Sequence, residues 1–198
     1  MTVPLPPLPP APDEGYRPGG RSVADVVAQE HRQLRELVDR LDEPDVPAEH
    51  LAVLTAVLSR HLSAEEQYLL PAVRAAVPGT AERVDRTLDA DASLLTALKG
   101  LADGDAGEVA ARVRRHVAEV DALVAALREV ATEEELIRLG NRLEIAEEAA
   151  PTRPHPDTPA TPPWNRIVEP ALGVVDKVRD AVTGRPTYPA DLPEPPRA

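Results

Sequence analysis

Five side chains able to hold a metal ion or move a proton interrupt apolar, helix-spaced stripes in this chain: His31, His61, Glu65, Asp91 and His116. In RHLSAEEQYLLP, Arg60–Pro71, His61 and Glu65 stand four residues apart, on one helix face among leucines. Burying an imidazole or a carboxylate there is costly unless a partner meets it. A lone core histidine usually bonds a carbonyl, and a lone buried carboxylate usually pairs with Arg or Lys. None of these stripes offers an inward Arg or Lys to Glu65 or Asp91. Three imidazoles and two carboxylates in one layer repel as acids and leave lone pairs unmet as bases. A cation resolves both, because imidazole nitrogen and carboxylate oxygen are ligands for iron, manganese or zinc.

The elements that must carry these residues are legible from spacing and punctuation. A first helix starts at Ser22, with Asp25 in a capping-box-like position, and its stripe is Val23, Val27, His31, Leu34, Val38, Leu41. A second runs from about Pro47 to Val77 with Leu54, Val57, His61, Glu65, Tyr68 and Ala72 inward, and Pro71 is expected to kink it. Thr80 is expected to cap a third, with the stripe Leu88, Asp91, Leu95, Leu98, Leu101. Asp105 starts a fourth, with Val109, Val113, His116, Val120, Leu123 and Leu127 inward. Short polar turns between four long helices predict an all-α, antiparallel up-down four-helix bundle. A short fifth helix follows from Thr132, with Glu135 completing a capping box, to about Ala150.

Depth along the helices decides whether the five groups can meet. His31 lies about 13 residues before the first turn, and His61 and Glu65 about 17 to 21 after it. Glu65 is about 14 residues before the second turn and Asp91 about 12 after it, while Asp91 and His116 flank the third by about 13 and 12. These offsets agree within a turn or two, so all five can share one layer at mid-bundle.

Proline-rich ends flank the bundle. Residues 1–21 and 185–198 are expected to be disordered tails, and 151–163 a linker. Between them residues 164–184 predict an amphipathic tail helix with Ile167, Val168, Leu172, Val175 and Val178 on one side. It would dock on the bundle, on a second subunit of a homodimer or on a protein partner. The net charge of −12 argues against nucleic acid and gives no footprint for an anionic membrane. The absence of cysteine excludes disulfides, thiolate metal sites and Cys nucleophiles. MTVPLPPLPP lacks the basic start and apolar run of a signal peptide, and no apolar run reaches membrane-spanning length, so a soluble cytoplasmic protein is expected. No nucleophile–base pair or phosphate loop supports hydrolytic or phosphoryl chemistry.

These residues resemble the hemerythrin-like, or HHE cation-binding, family in its bacterial form, whose four-helix bundle holds non-haem di-iron. QEHRQL is similar to the first motif and carries His31 as an iron ligand, and RHLSAEEQYLLP to the second, H-x-x-x-E, with His61 as ligand and Glu65 as bridging carboxylate. The resemblance extends over about 22–155, including PTRPHP after the bundle. Glu66 is the alternative carboxylate. The second half departs from the pattern: Asp91 in DADAS stands where a histidine is usual, and Val120 stands four residues after His116, where glutamate is usual. Asp121 fits the H-x-x-x-x-D spacing of the oxygen carriers, which implies it as the metal ligand that supplies the missing bridge, although five residues are about 500° of helix and put it about 140° around from His116. A surface aspartate is the alternative.

The resemblance implies iron, with zinc or manganese as the lesser alternatives, and a small ligand such as oxygen, nitric oxide or peroxide. The implied role is sensing, storage or detoxification, with weak catalase-like activity rather than a dedicated enzyme. Carboxylate in place of imidazole makes the site harder and favours ferric iron. A mononuclear site, or a degenerate metal-poor bundle serving as an interaction scaffold, stays open beside the di-iron centre. Tyr68 either packs its ring or faces the metal. His50, about 16 Å from His61 along its helix, cannot share the site, and His155 suits a turn or docking role.

Overall fold

A computed structural model describes residues 18–43, 45–101, 104–155 and 165–193. Most of the first tail, most of the linker and the last five residues lie outside the described residues. The helices are α1 (Val23–Asp39), α2 (Ala48–Ala64), α3 (Leu70–Ala76), α4 (Ala81–Lys99), α5 (Ala106–Val130), α6 (Glu133–Ala149) and α7 (Asn165–Thr183), with no strand among the described residues.

Side-chain caps set the starts of α1, α5 and α6. Ser22 Oγ accepts from the Asp25 amide at 3.2 Å and Asp105 Oδ1 from the Glu108 amide at 3.1 Å. Thr132 and Glu135 form the reciprocal capping box. Thr80 differs from expectation: its hydroxyl donates back to the Val77 carbonyl at 2.8 Å rather than capping α4. The preceding helix end leaves that carbonyl unsatisfied, and a hydroxyl can serve either side of a turn.

Pro71 acts differently from a simple kink. Between α2 and α3, residues Glu65–Leu69 form a π turn, in which the Leu70 amide reaches back five residues to the Glu65 carbonyl. Proline has no amide to continue the α pattern and its ring crowds the carbonyl four residues back, so one extra residue is taken up in the turn before it. The Glu65 amide still bonds the His61 carbonyl, so these two side chains keep their α-helical spacing.

The bundle core is two apolar clusters with a polar layer between them. Leu34, Leu37, Leu54, Leu58, Leu98 and Val113 belong to one, and Val23, Val27, Leu69, Val84, Leu123 and Leu143 to the other. Near the level where the clusters meet, α1, α2, α4 and α5 carry the buried polar residues His31, His61, Asp91 and His116. The fifth helix is a larger part of the architecture than its expected length suggests. α6 packs on α1 and α2, where Gly140 lies so close to the start of α1 that an added Cβ would stand 2.3 Å from the Arg21 carbonyl oxygen.

α7 docks on α6 through its polar side. Asp176 and Asp180 are buried and bind Thr152, Arg153, His155 and Arg185, while Gly173 fits against the Ala149 carbonyl. The apolar side, expected to be the docking face, has Val174, Val175, Val178 and Val182 at least 60% exposed. Residues 185–193, expected within a disordered tail, cross α2: Arg185 donates to the Ala52 carbonyl at 3.1 Å, and Arg60 donates to the Thr187 carbonyl and stacks on Tyr188. The guanidinium groups of buried Arg60 and part-buried Arg185 recruit backbone carbonyls and an aromatic face, which holds a proline-rich segment that composition alone marks as unstructured.

Candidate metal centre

α1 presents His31, α2 His61, the π turn Glu65 and α5 His116, all buried, and one donor atom from each lies within 4.8 Å of all the others. The Nε2 atoms of His61 and His116 are 3.3 Å apart. Glu65 lies between the rings, with Oε1 at 3.3 Å from His61 Nε2 and 3.8 Å from His31 Nε2, and Oε2 at 3.2 Å from His116 Nε2. The three rings meet edge to face, with centroids 5.1 to 5.9 Å apart.

Each ring is held from behind by a carboxylate. His31 Nδ1 is 2.6 Å from Asp121 Oδ1, His61 Nδ1 2.8 Å from Glu30 Oε2, and His116 Nδ1 2.7 Å from Asp91 Oδ1. A carboxylate only accepts, so each Nδ1 carries the proton and donates it. The remaining nitrogen, Nε2, then turns toward Glu65, and in a neutral ring it bears a lone pair. Arg35 holds the other oxygen of Asp121 at 2.7 Å.

Asp91 and Asp121 thus reach the site from behind, on the far ring nitrogens of His116 and His31, rather than within the four-donor group. The turn of helix from His116 to Asp121 carries that carboxylate to His31 on the neighbouring α1. Glu66 is half-buried, and Tyr68 packs against the second apolar cluster. His50 bonds the Leu37 carbonyl at 2.7 Å, and His155 bonds Asp176 at 3.0 Å at the α7 dock.

Two groups at the site escaped the sequence reading. Glu30 holds His61, and Glu147 of α6 hydrogen-bonds Glu30. Burial pushes Glu30 up to about 7 and, together with the neighbouring charge of Glu30, pushes Glu147 up to about 8, so the pair shares a proton near neutrality. Glu147 continues the inward spacing Leu136, Gly140, Leu143 by one more step, a signal readable in the sequence. Glu30 has the same spacing, three residues after Val27 and four before Leu34, but it adjoins His31, which fills that step of the stripe.

The electrostatics describe a site that wants positive charge. Burial opposes ionisation of Glu65, yet His61 and His116 hold its carboxyl well below the usual range. Burial opposes charge on His116 too, but Asp91 and Glu65 lift it well above an ordinary histidine. Burial lowers His61, with Glu65 only partly offsetting it. A protonated His116 can donate to Glu65 Oε2 at 3.2 Å, yet it leaves His31 Nε2 and Glu65 Oε1 buried with no hydrogen-bond partner. Such orphans are rare in a folded core. A cation among three imidazole nitrogens and a carboxylate satisfies all of them, and the donor set suits iron, zinc or manganese.

No curated protein and no solved structure matches this chain. The family model described as Hemerythrin HHE cation binding domain matches residues 22–140, which hold His31, His61, Glu65, Asp91, His116 and Asp121. With more than half of its length matched and a buried histidine–glutamate cluster at the middle of its bundle, the chain belongs to the hemerythrin HHE cation-binding family.

Proposed function

We propose that the chain binds non-haem iron at one centre, with His31, His61, His116 and Glu65 as ligands, and uses it to handle a small oxidant such as oxygen, nitric oxide or peroxide. The observation that carries this is the convergence of three Nε2 atoms on one buried carboxylate, with His31 Nε2 and Glu65 Oε1 left without a hydrogen-bond partner. Iron held there would supply a redox-active centre with coordination positions left for a small ligand. The protein's part is orientation and exclusion of water. Asp91, Asp121 and Glu30 fix the imidazole tautomers, Arg35 steadies Asp121, and the two apolar clusters close the layer above and below.

The di-iron centre typical of the resemblance needs further ligands, and Asp91 and Asp121 would have to leave the histidines they now hold. The four-donor cluster favours one ion. As second readings, the exposed valine face of α7 supports a homodimer or protein contact there, and a metal-poor scaffold is the rival for the whole chain. Elemental analysis of aerobically purified protein separates these. About one iron per chain supports the proposal, about two supports di-iron, and less than about a tenth of any transition metal after reconstitution supports the scaffold.

A further inference from the structure

A cleft of about 390 Å³ opens between α4 and α5, and it reaches the donor layer. Asp91 and His116 form its floor, and Arg83, Arg86, Arg112 and Arg115 line its walls. The lining thus sets four guanidinium groups against two carboxylates, Asp91 and Glu119, in a chain of net charge −12. Such a local reversal of sign repels cations and concentrates anions against the field of the rest of the surface.

The cleft is ordered along two rungs of the antiparallel pair. Arg83 is bound to Glu119 at one, and Asp91 to His116 at the other. Arg86 and Ala90 of α4 stand between these rungs, and Arg115 adjoins the second. Ala90 is exposed and contributes only a methyl group, so the wall is low there. Arg112 is fixed on Glu108 at 2.6 Å, whereas Arg86 and Arg115 are exposed and make no ion pair among the described residues. The polar layer is also least sealed here: His116 is 5% exposed and Asp91, behind it, 6%, against 0 to 1% for His31, His61 and Glu65.

We infer that this cleft is a binding site for a small oxyanion, a molecule carrying a carboxylate or phosphate group, seated on Arg86 and Arg115 over the Asp91–His116 edge of the centre. A guanidinium fork meets either head group with two parallel hydrogen bonds. The anion site stands on the cleft itself, and only its role as a neighbour of bound metal rests on the function proposed above.

Calorimetric titration of the full chain at low ionic strength, metal-free and iron-loaded, with inorganic phosphate and with succinate, tests this. Saturable one-to-one binding of one of them is expected, weakened about tenfold or more in the double variant Arg86→Gln, Arg115→Gln. Ala90→Trp keeps the arginines and fills the gap, and the same loss is expected. Circular dichroism and iron content should be unchanged in both variants, since neither touches a donor. Binding that never saturates with either anion, or that survives the double variant, overturns the inference. Anion binding lost on substitution in a protein that takes up no iron would uphold the cleft and sink the metal centre alone.

Discussion

Asp91→Asn separates a residue that orients a ligand from one that is a ligand. Asp91 accepts the Nδ1 proton of His116 at 2.7 Å, and that bond keeps the His116 Nε2 lone pair on the Glu65 side. Asparagine fills the same space but offers an NH2 as readily as an oxygen, so the ring can reverse its tautomer and turn an N–H toward the centre. Loss of such a supporting contact typically weakens metal binding by about 10- to 100-fold, or about 1.4 to 2.7 kcal/mol. Asp121→Asn should cost less, because Asp121 is 42% exposed and shared with Arg35, so its bond to His31 is partly screened. Competition titrations against a chelator of known affinity give the change in Kd, and elemental analysis gives the stoichiometry. The expected outcome is weaker binding at unchanged metal per chain. Loss of one whole metal equivalent would mean that Asp91 is itself a ligand, and unchanged affinity would mean that the His116 tautomer does not matter; either result refutes the reasoning.

His61→Ala should abolish metal uptake and, on metal addition, the stabilisation seen in the unaltered chain, because ligand-linked stability vanishes with the site; iron content and melting curves report both. Without metal, stability should fall as pH rises from about 6.5 to 8: over this range Glu147, raised from 4.5 to about 8, holds a proton in the fold that the unfolded chain has already lost, and His116, raised above 6.5, acts in the same direction. Thermal melting should show the fall, and Glu147→Gln should make it shallower. Gly140→Ala should destabilise the chain by about 1–3 kcal/mol, since its Cβ would stand 2.3 Å from the Arg21 carbonyl oxygen and α6 must move off α1; chemical denaturation measures it. Gly173→Ala should release α7, through a clash with the Ala149 carbonyl, while leaving metal content unchanged, as faster proteolysis within 165–193 beside constant iron would show.

The helices, their order and the level of the polar layer were legible because each rests on near neighbours in the chain. The inward spacing of three and four, Ser22, Asp105 and Thr132 at helix starts, and turns of a few polar residues all act within one or two helical turns. The level of His31, His61 and His116 followed from counting outward from those turns, since the helical rise is constant.

Other features depended on contacts between distant segments. The π turn before Pro71 follows from how a helix absorbs a missing amide, and spacing alone cannot tell that from a kink. α7 turned its aspartates rather than its valines to the bundle because Arg153 and Arg185 offered buried partners, and those pairings span 23 to 27 residues or a loop. By itself, the sequence determined an all-α bundle with histidines and a carboxylate at one height, because periodicity and rise are properties of a single helix. Only the tertiary structure decided which acids stand among the imidazoles and which behind them, because a ring has two nitrogens and the neighbouring helix chooses which one it holds.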